Sequence, residues 1–169
     1  MRCIVIDVGN TSTSLALYDA GRVSRLAHVK GGIARDPRAC SAAVQRAARG
    51  GVHGAVLGSV VPVTNPLWID LLTRELGCAP LVVRAGLRMD VAVDYPKPRT
   101  IGADRLANAC GGVAKYGAPL IIADFGTALT FDIVTRERCY IGGVIAPGLP
   151  LMTDYLHERT ALLPHVAPG

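Results

Sequence analysis

The chain has 169 residues, half of them hydrophobic and only 18% charged, which suits one ordinary α/β domain or two small lobes and excludes a disordered chain. No apolar run reaches the roughly 18–20 residues needed to cross a bilayer, and Asp7 and Gly9 interrupt the N-terminal apolar stretch too early for a signal peptide, so a cytoplasmic location without membrane partners is expected. The net charge of +5 comes from scattered basic residues with no interleaved aromatics, so nucleic acid is not an expected partner.

In chain order, residues 2–7 (RCIVID) predict a strand buried on both faces, and Gly9-Asn10-Thr11-Ser12 a polar turn. Residues 13–19 alternate as a second strand, Ala20-Gly21 turn, and 23–29 form a third. Residues 39–49 have a helical period that ends at Gly50-Gly51. Residues 54–61 are a buried strand stopped by Pro62, and 65–76 an amphipathic helix with Asn65 as N-cap, Pro66 at its first position and Gly77 at its end. A short strand follows at 80–84, and the proline-rich stretch 90–100 reads as a loop. Residues 103–115 predict a helix despite two glycines, 119–124 a buried strand, 129–135 an alternating strand, 140–146 a last strand and 149–163 a closing helix.

The five cysteines (Cys3, Cys40, Cys78, Cys110, Cys139) are odd in number with no C-x-x-C pair, so they read as reduced, mostly buried small hydrophobes. His28, His53, His157 and His165 have no metal-ligand spacing and read as surface or packing residues.

An internal echo carries more information. Residues 4–19 (IVIDVGNTSTSLALYD) and 121–135 (IIADFGTALTFDIVT) share an apolar strand, Asp-x-Gly, a small polar residue and an alternating strand. Counted from the carboxylates, Asp7 matches Asp124, Gly9 matches Gly126 and Asn10 matches Thr127, as in duplicated lobes. A single Asp-x-Gly is usually a plain hairpin turn; two in the same setting suit phosphate binding. Glycine lets the backbone approach a ligand, and the following N–H groups with Asn10, Thr11 and Thr127 supply donors. A carboxylate beside phosphate needs Mg²⁺, or else holds a nucleophile. A P-loop and a Rossmann G-x-G-x-x-G after the first strand are both absent.

The double pattern resembles the actin–hexokinase–Hsp70 superfamily, in which nucleotide phosphates sit between two such hairpins. Its implied fold is α/β, actin/hexokinase-like (ribonuclease H-like), with duplicated lobes: residues 1–100 the first and 101–169 an incomplete second. The segments DVGNTS (7–12), GSVVP (58–62), DYPKPRTIGADRLANA (94–109), DFGTALTFD (124–132) and GGVIAPG (142–148), in that order, closely resemble type III pantothenate kinases. The resemblance implies ATP-dependent phosphorylation of pantothenate to 4′-phosphopantothenate, which opens coenzyme A synthesis. It also implies a homodimer, Mg²⁺, and a monovalent cation, K⁺ or NH₄⁺.

It further implies roles. Asp104 is the candidate general base; the bland reading is a carboxylate at a helix start. Arg105 would pair with the pantothenate carboxylate, Tyr95 would line the pocket, and Gly102 with Ala103 would allow close approach. Asp7 would hold Mg²⁺ through water, with Gly9, Asn10 and Thr11 on the ATP phosphates. Asp124 would lie near the monovalent cation, and Gly126, Thr127 and Ala128 would cradle phosphates. Gly142 and Gly143 would pass close to the nucleotide, whereas Asp132 has no catalytic role. The family normally runs longer, so an unpaired strand edge and exposed apolar surface are expected in the second lobe. A truncated, non-catalytic nucleotide-binding or regulatory relative is the alternative reading.

Overall fold

Two β-sheets organise the chain in a computed structural model that describes residues 1–159. Residues 160–163 of the predicted closing helix, His165 and the side chain of His157 lie outside the described residues. Two compact units result, one of Met1–Leu87 with Arg99–Ala107, the other of Arg88–Pro98 with the chain from Asn108 onward.

In the first unit, β1 (Arg2–Val8), β2 (Ser12–Asp19), β3 (Arg22–Lys30), β4 (Ala55–Ser59) and β5 (Leu81–Val82) form one sheet in the order β3-β2-β1-β4-β5. The first three strands are antiparallel, whereas β4 runs parallel to both β1 and β5. Helices α1 (Gly32–Arg35), α2 (Pro37–Arg49) and α3 (Asn65–Leu76) belong to the same unit. β1 is not buried on both faces over its whole length as predicted: Ile4, Ile6 and Val8 are buried on one face, whereas on the other Cys3 is buried, Val5 only half-buried and Asp7 exposed. The alternation is physical, because successive side chains of a strand point to opposite faces. Ile4, Ile6 and Val8 join Leu15 and Leu57 with Cys40, Ala43, Val44 and Ala47 of α2 and Trp68, Leu71 and Leu72 of α3. The helical spacings of i, i+3 and i+4 put each set on one stripe.

The helix ends differ from expectation in two places. α2 starts two residues early, at Pro37, because Asp36 caps it: Ala39 N–H donates to Asp36 Oδ1 at 2.9 Å. Asn65 is not a cap, since a 3₁₀ turn over Pro62–Thr64 runs directly into α3 and makes Thr64 the flanking residue. Gly77 ends α3 in the left-handed conformation, φ 72°, as the sequence predicts.

In the second unit the sheet order is β6-β9-β8-β7, with β6 (Ala92–Val93), β7 (Leu120–Phe125), β8 (Ala128–Val134) and β9 (Cys139–Pro147). β7, β8 and β9 are antiparallel and β6 runs parallel to β9. β6 lies within the stretch predicted to be a loop; its two residues are held by non-local bonds, Ala92 N–H to Arg138 O (2.9 Å) and Asp94 N–H to Tyr140 O (3.0 Å). α4 (Ala103–Tyr116) tolerates Gly112 because the helix touches β7 there: a Cβ on Gly112 would lie 2.8 Å from Leu120 Cδ1 and 3.2 Å from Ile122 Cγ1. α5 (Leu149–Arg159) closes the described chain.

Among the described residues, β7 is paired on one side only. Ile121, Phe125, Val144 and Ile145 are all more than half exposed. Pro147, Leu151, Met152 and Tyr155 line an apolar groove of about 460 Å³. Cys3 and Cys40 are buried, Cys110 and Cys139 half-buried, and Cys78 is exposed, against the expectation for most of them. His28 is exposed and lies 3.1 Å from Ser14 Oγ through Nδ1, and His53 is exposed with Nδ1 against the Arg2 backbone. No helix among the described residues is long and apolar enough to cross a membrane.

Candidate phosphate loops and acceptor site

The first loop follows from how β1 ends. Asp7 is the penultimate residue of the strand, on its exposed face, opposite Ser14 on β2 and Gly58 on β4. The turn Gly9-Asn10-Thr11 is closed by Gly9 N–H donating to Ser12 O at 3.0 Å, and Asn10 and Thr11 are exposed at its tip. The Thr11 carbonyl accepts from Gly31 N–H at 2.9 Å, so the glycine that follows β3 braces the turn.

The GADR segment arrives at the same edge of this sheet. Val60, just past the end of β4, donates its N–H to Val8 O at 3.0 Å. Gly102 lies against Val60, since a Cβ there would sit 3.4 Å from Val60 Cγ1. Thus residues 52 positions apart (Val8 and Val60) and 42 apart (Val60 and Gly102) meet at the C-terminal ends of the parallel strands β1 and β4, the edge at which open α/β sheets take ligands. A side chain at Gly102 would displace Asp104 Oδ1, which occupies that space. The same oxygen accepts from Arg105 N–H at 2.8 Å, while Leu106 N–H bonds to Gly102 O at 3.2 Å. Asp104 therefore has the local helix-start bond of the bland reading, and the carboxylate is oriented by it. Ala103 is buried beneath, and Arg105 is half-buried beside it.

The second loop repeats the first with one residue fewer. Asp124 faces Thr130 near the end of β7, Gly126 N–H donates to Ala128 O at 3.0 Å, and Gly148 N–H donates to Thr127 O at 3.1 Å. The glycine after β9 thus braces Thr127 as Gly31 braces Thr11. By this bond Thr127 is equivalent to Thr11, not to Asn10 as counting from the carboxylates gives, because the first loop carries an extra residue. A side chain on Gly148 would collide with the carbonyls of Gly126 and Thr127, so the loop can lie on this position only if it is glycine. Gly126 and Thr127 are exposed and Ala128 half-buried.

Asn108 is a residue that sequence reasoning did not single out. Its Nδ2 donates to Asp124 Oδ2 at 2.8 Å, tying α4 to the end of β7. The only signal available was its place in the DRLANA run, which does not show that a helix crosses the strand there.

Tyr95 is 39% exposed, just beyond β6, and its ring lies on Gly142. Asp132 is fully buried and accepts from Tyr140 Oη at 3.0 Å, a contact inside the sheet rather than at the loops. Among the described residues no three His, Cys, Asp or Glu side chains gather as a ready metal cage.

Comparison with known proteins accords with these elements. The profile of the type III pantothenate kinase family matches residues 3–168. The protein of Geobacter sulfurreducens named type III pantothenate kinase is 39% identical over 169 residues, covering 96% of this chain and 66% of its own length. The Acidiphilium cryptum protein of the same name is 40% identical, covering 98% and 65%, and that of Akkermansia muciniphila is 51% identical over 117 residues, covering 68% and 46%. The chain thus spans about two thirds of the length of the first two relatives. Among solved structures, an Aquifex aeolicus Ppx/GppA phosphatase matches with a TM-score of 0.54 at 13% identity, covering 92% of this chain and 55% of that one, which shows the actin-like α/β fold and no more. With the profile running over nearly its whole length, the chain belongs to the type III pantothenate kinase family.

Proposed function

We propose that this chain belongs to an ATP-dependent kinase that phosphorylates the primary hydroxyl of pantothenate, giving 4′-phosphopantothenate for coenzyme A synthesis. The observation that carries the reading is the contact of Gly102 with Val60, whose N–H bonds to Val8 O, so that the start of α4 reaches the strand edge next to Asp7. In this reading Asp104 takes the proton from the attacking hydroxyl, a task for a carboxylate within hydrogen-bond reach of it. Its bond from Arg105 N–H holds one carboxylate oxygen in place. Arg105 pairs with the pantothenate carboxylate, Tyr95 lines the pocket, and Gly102 and Ala103 keep its floor low. Gly9, Asn10 and Thr11 in one loop, and Gly126, Thr127 and Ala128 in the other, donate to ATP phosphates.

Mg²⁺ fits Asp7: an exposed carboxylate near the end of β1 suits an ion that keeps most of its waters and otherwise binds phosphate oxygens. When bound it neutralises charge on the phosphates. A monovalent cation, K⁺ or NH₄⁺, fits Asp124, whose Oδ2 accepts from the neutral Asn108 amide. A homodimer and a cytoplasmic location complete the proposal.

The test is ADP release measured with and without pantothenate, in Mg²⁺ and K⁺. Pantothenate-dependent release supports the kinase. Nucleotide binding without such release, by a sample with a cooperative unfolding transition, would leave the non-catalytic, nucleotide-binding relative as the reading.

A further inference from the structure

The family pattern draws attention to Gly142 and Gly143 as neighbours of the nucleotide, but Gly142 has another neighbour. It is buried, with φ +105°, and a Cβ built on it would lie 3.0 Å from Cε2 and 3.2 Å from Cδ2 of Tyr95. Both distances are shorter than ordinary carbon–carbon contact, about 3.5–4.0 Å. No other residue type fits beneath the ring without moving it, and side-chain-bearing residues also resist that φ.

The local sequence explains why the backbone is shaped this way. β8 pairs Ile133 with Gly142 but Val134 with Tyr140, so Ile141 is an extra residue and β9 bulges at this point. Bulges re-aim the chain and recur beside functional sites. β6, which delivers Tyr95, has only two residues, and its last ladder bond is Asp94 N–H to Tyr140 O. Tyr95 is therefore the first residue beyond the ladder, and its ring stands on the bulge.

We infer that Gly142 is a positioning residue for substrate: the bulge and the missing side chain form a seat that sets the height of the Tyr95 ring, and thereby the fit of pantothenate. The inference rests on the functional reading above, in which Tyr95 lines the acceptor pocket. It assigns Gly142 to the acceptor and not to the nucleotide. A methyl at residue 142 lifts the ring by several tenths of an ångström and disturbs the pocket wall, while leaving the phosphate loops as they are.

The test is a double-mutant cycle read by calorimetric titration of pantothenate and, separately, of ATP. Gly142→Ala is expected to weaken pantothenate binding by about tenfold, a change of about 1.4 kcal/mol, when Tyr95 is present. In a Tyr95→Ala background the same substitution should cost less than about twofold, because the two changes act through one contact. ATP affinity should stay within about twofold throughout. Equal weakening in both backgrounds, or a loss confined to ATP, overturns the inference.

A measurement on the unaltered chain covers the case in which Gly142→Ala does not fold. The Hα resonances of Gly142 should be displaced by the Tyr95 ring current and should move when pantothenate is added. Undisplaced resonances overturn the seat. Displaced resonances that ignore pantothenate overturn its link to substrate. A folded chain with displaced Gly142 resonances that binds no pantothenate overturns the functional reading itself, and the link with it.

Discussion

Asp104 is where the proposed chemistry is most exposed to disproof. Its carboxylate already has a structural bond to Arg105 N–H, and an amide oxygen at the same place preserves it. Asp104→Asn should therefore leave the unfolding transition and ATP affinity nearly unchanged while lowering pantothenate-dependent ADP release by about a hundredfold or more. Retained turnover would remove Asp104 as base. Asn108 makes a comparable case on α4. Asn108→Leu keeps the volume but leaves Asp124 without its 2.8 Å amide donor. The expected result is a weaker dependence of thermal stability on K⁺ than in the unaltered chain, measured against the same concentration of a bulky cation such as tetramethylammonium. An identical K⁺ dependence would separate Asn108 from the cation. At this scale the sequence was informative about residue type and poor about partners. The two Asp-x-Gly turns and GADR were legible, but the bonds from Asn108 to Asp124 and from Gly148 to Thr127 join separate elements, and no local pattern reports them.

At the scale of elements, periodicity identified the long strands and helices well. It failed where structure is short or borrowed. β6 has two residues bonded to β9, and α1 has one turn; neither is long enough to show a period. The start of α2 was legible in hindsight, since Asp36-Pro37 is a cap followed by proline at the first position. Asp36→Ala should cost about 1 kcal/mol in chemical denaturation. A core change should cost more: Leu72→Ala, on the fully buried stripe of α3, is expected to lose about 2–5 kcal/mol. α2 also makes the fold sensitive to alkali. Burial, and next the Asp36 charge, push the Cys40 thiol up from 9.0 to about 11. The unfolded chain then releases that proton first, so the stabilisation is present below pH 9 and is lost as pH rises towards 11. Cys40→Ala should flatten the decline in denaturation midpoint over that window; an unchanged slope would assign the decline to other groups.

The whole molecule shows an asymmetry between its units. In the first, β1 has neighbours on both sides; in the second, its counterpart β7 has one among the described residues. Ile121 at 68% and Phe125 at 72% exposure lie along that strand. An apolar, open strand edge is a template for self-association. Ile121→Lys should reduce light scattering on concentration without lowering the unfolding temperature by more than a few degrees, because the side chain loses little burial. Unchanged scattering would point instead to the groove of Pro147, Leu151, Met152 and Tyr155.

The brace that each third strand lends its loop, Gly31 to Thr11 and Gly148 to Thr127, separates what a loop says from what holds it. The loops differ in length by a residue yet end on the same bond, so the tip is a replaceable insert on a fixed mount. A directed library selected for folding alone should tolerate lengthening at Asn10, whereas the spacing from Lys30 to Gly31, or from Pro147 to Gly148, should admit no insertion at all. Of what the two loops share, this mount is the part least free to change.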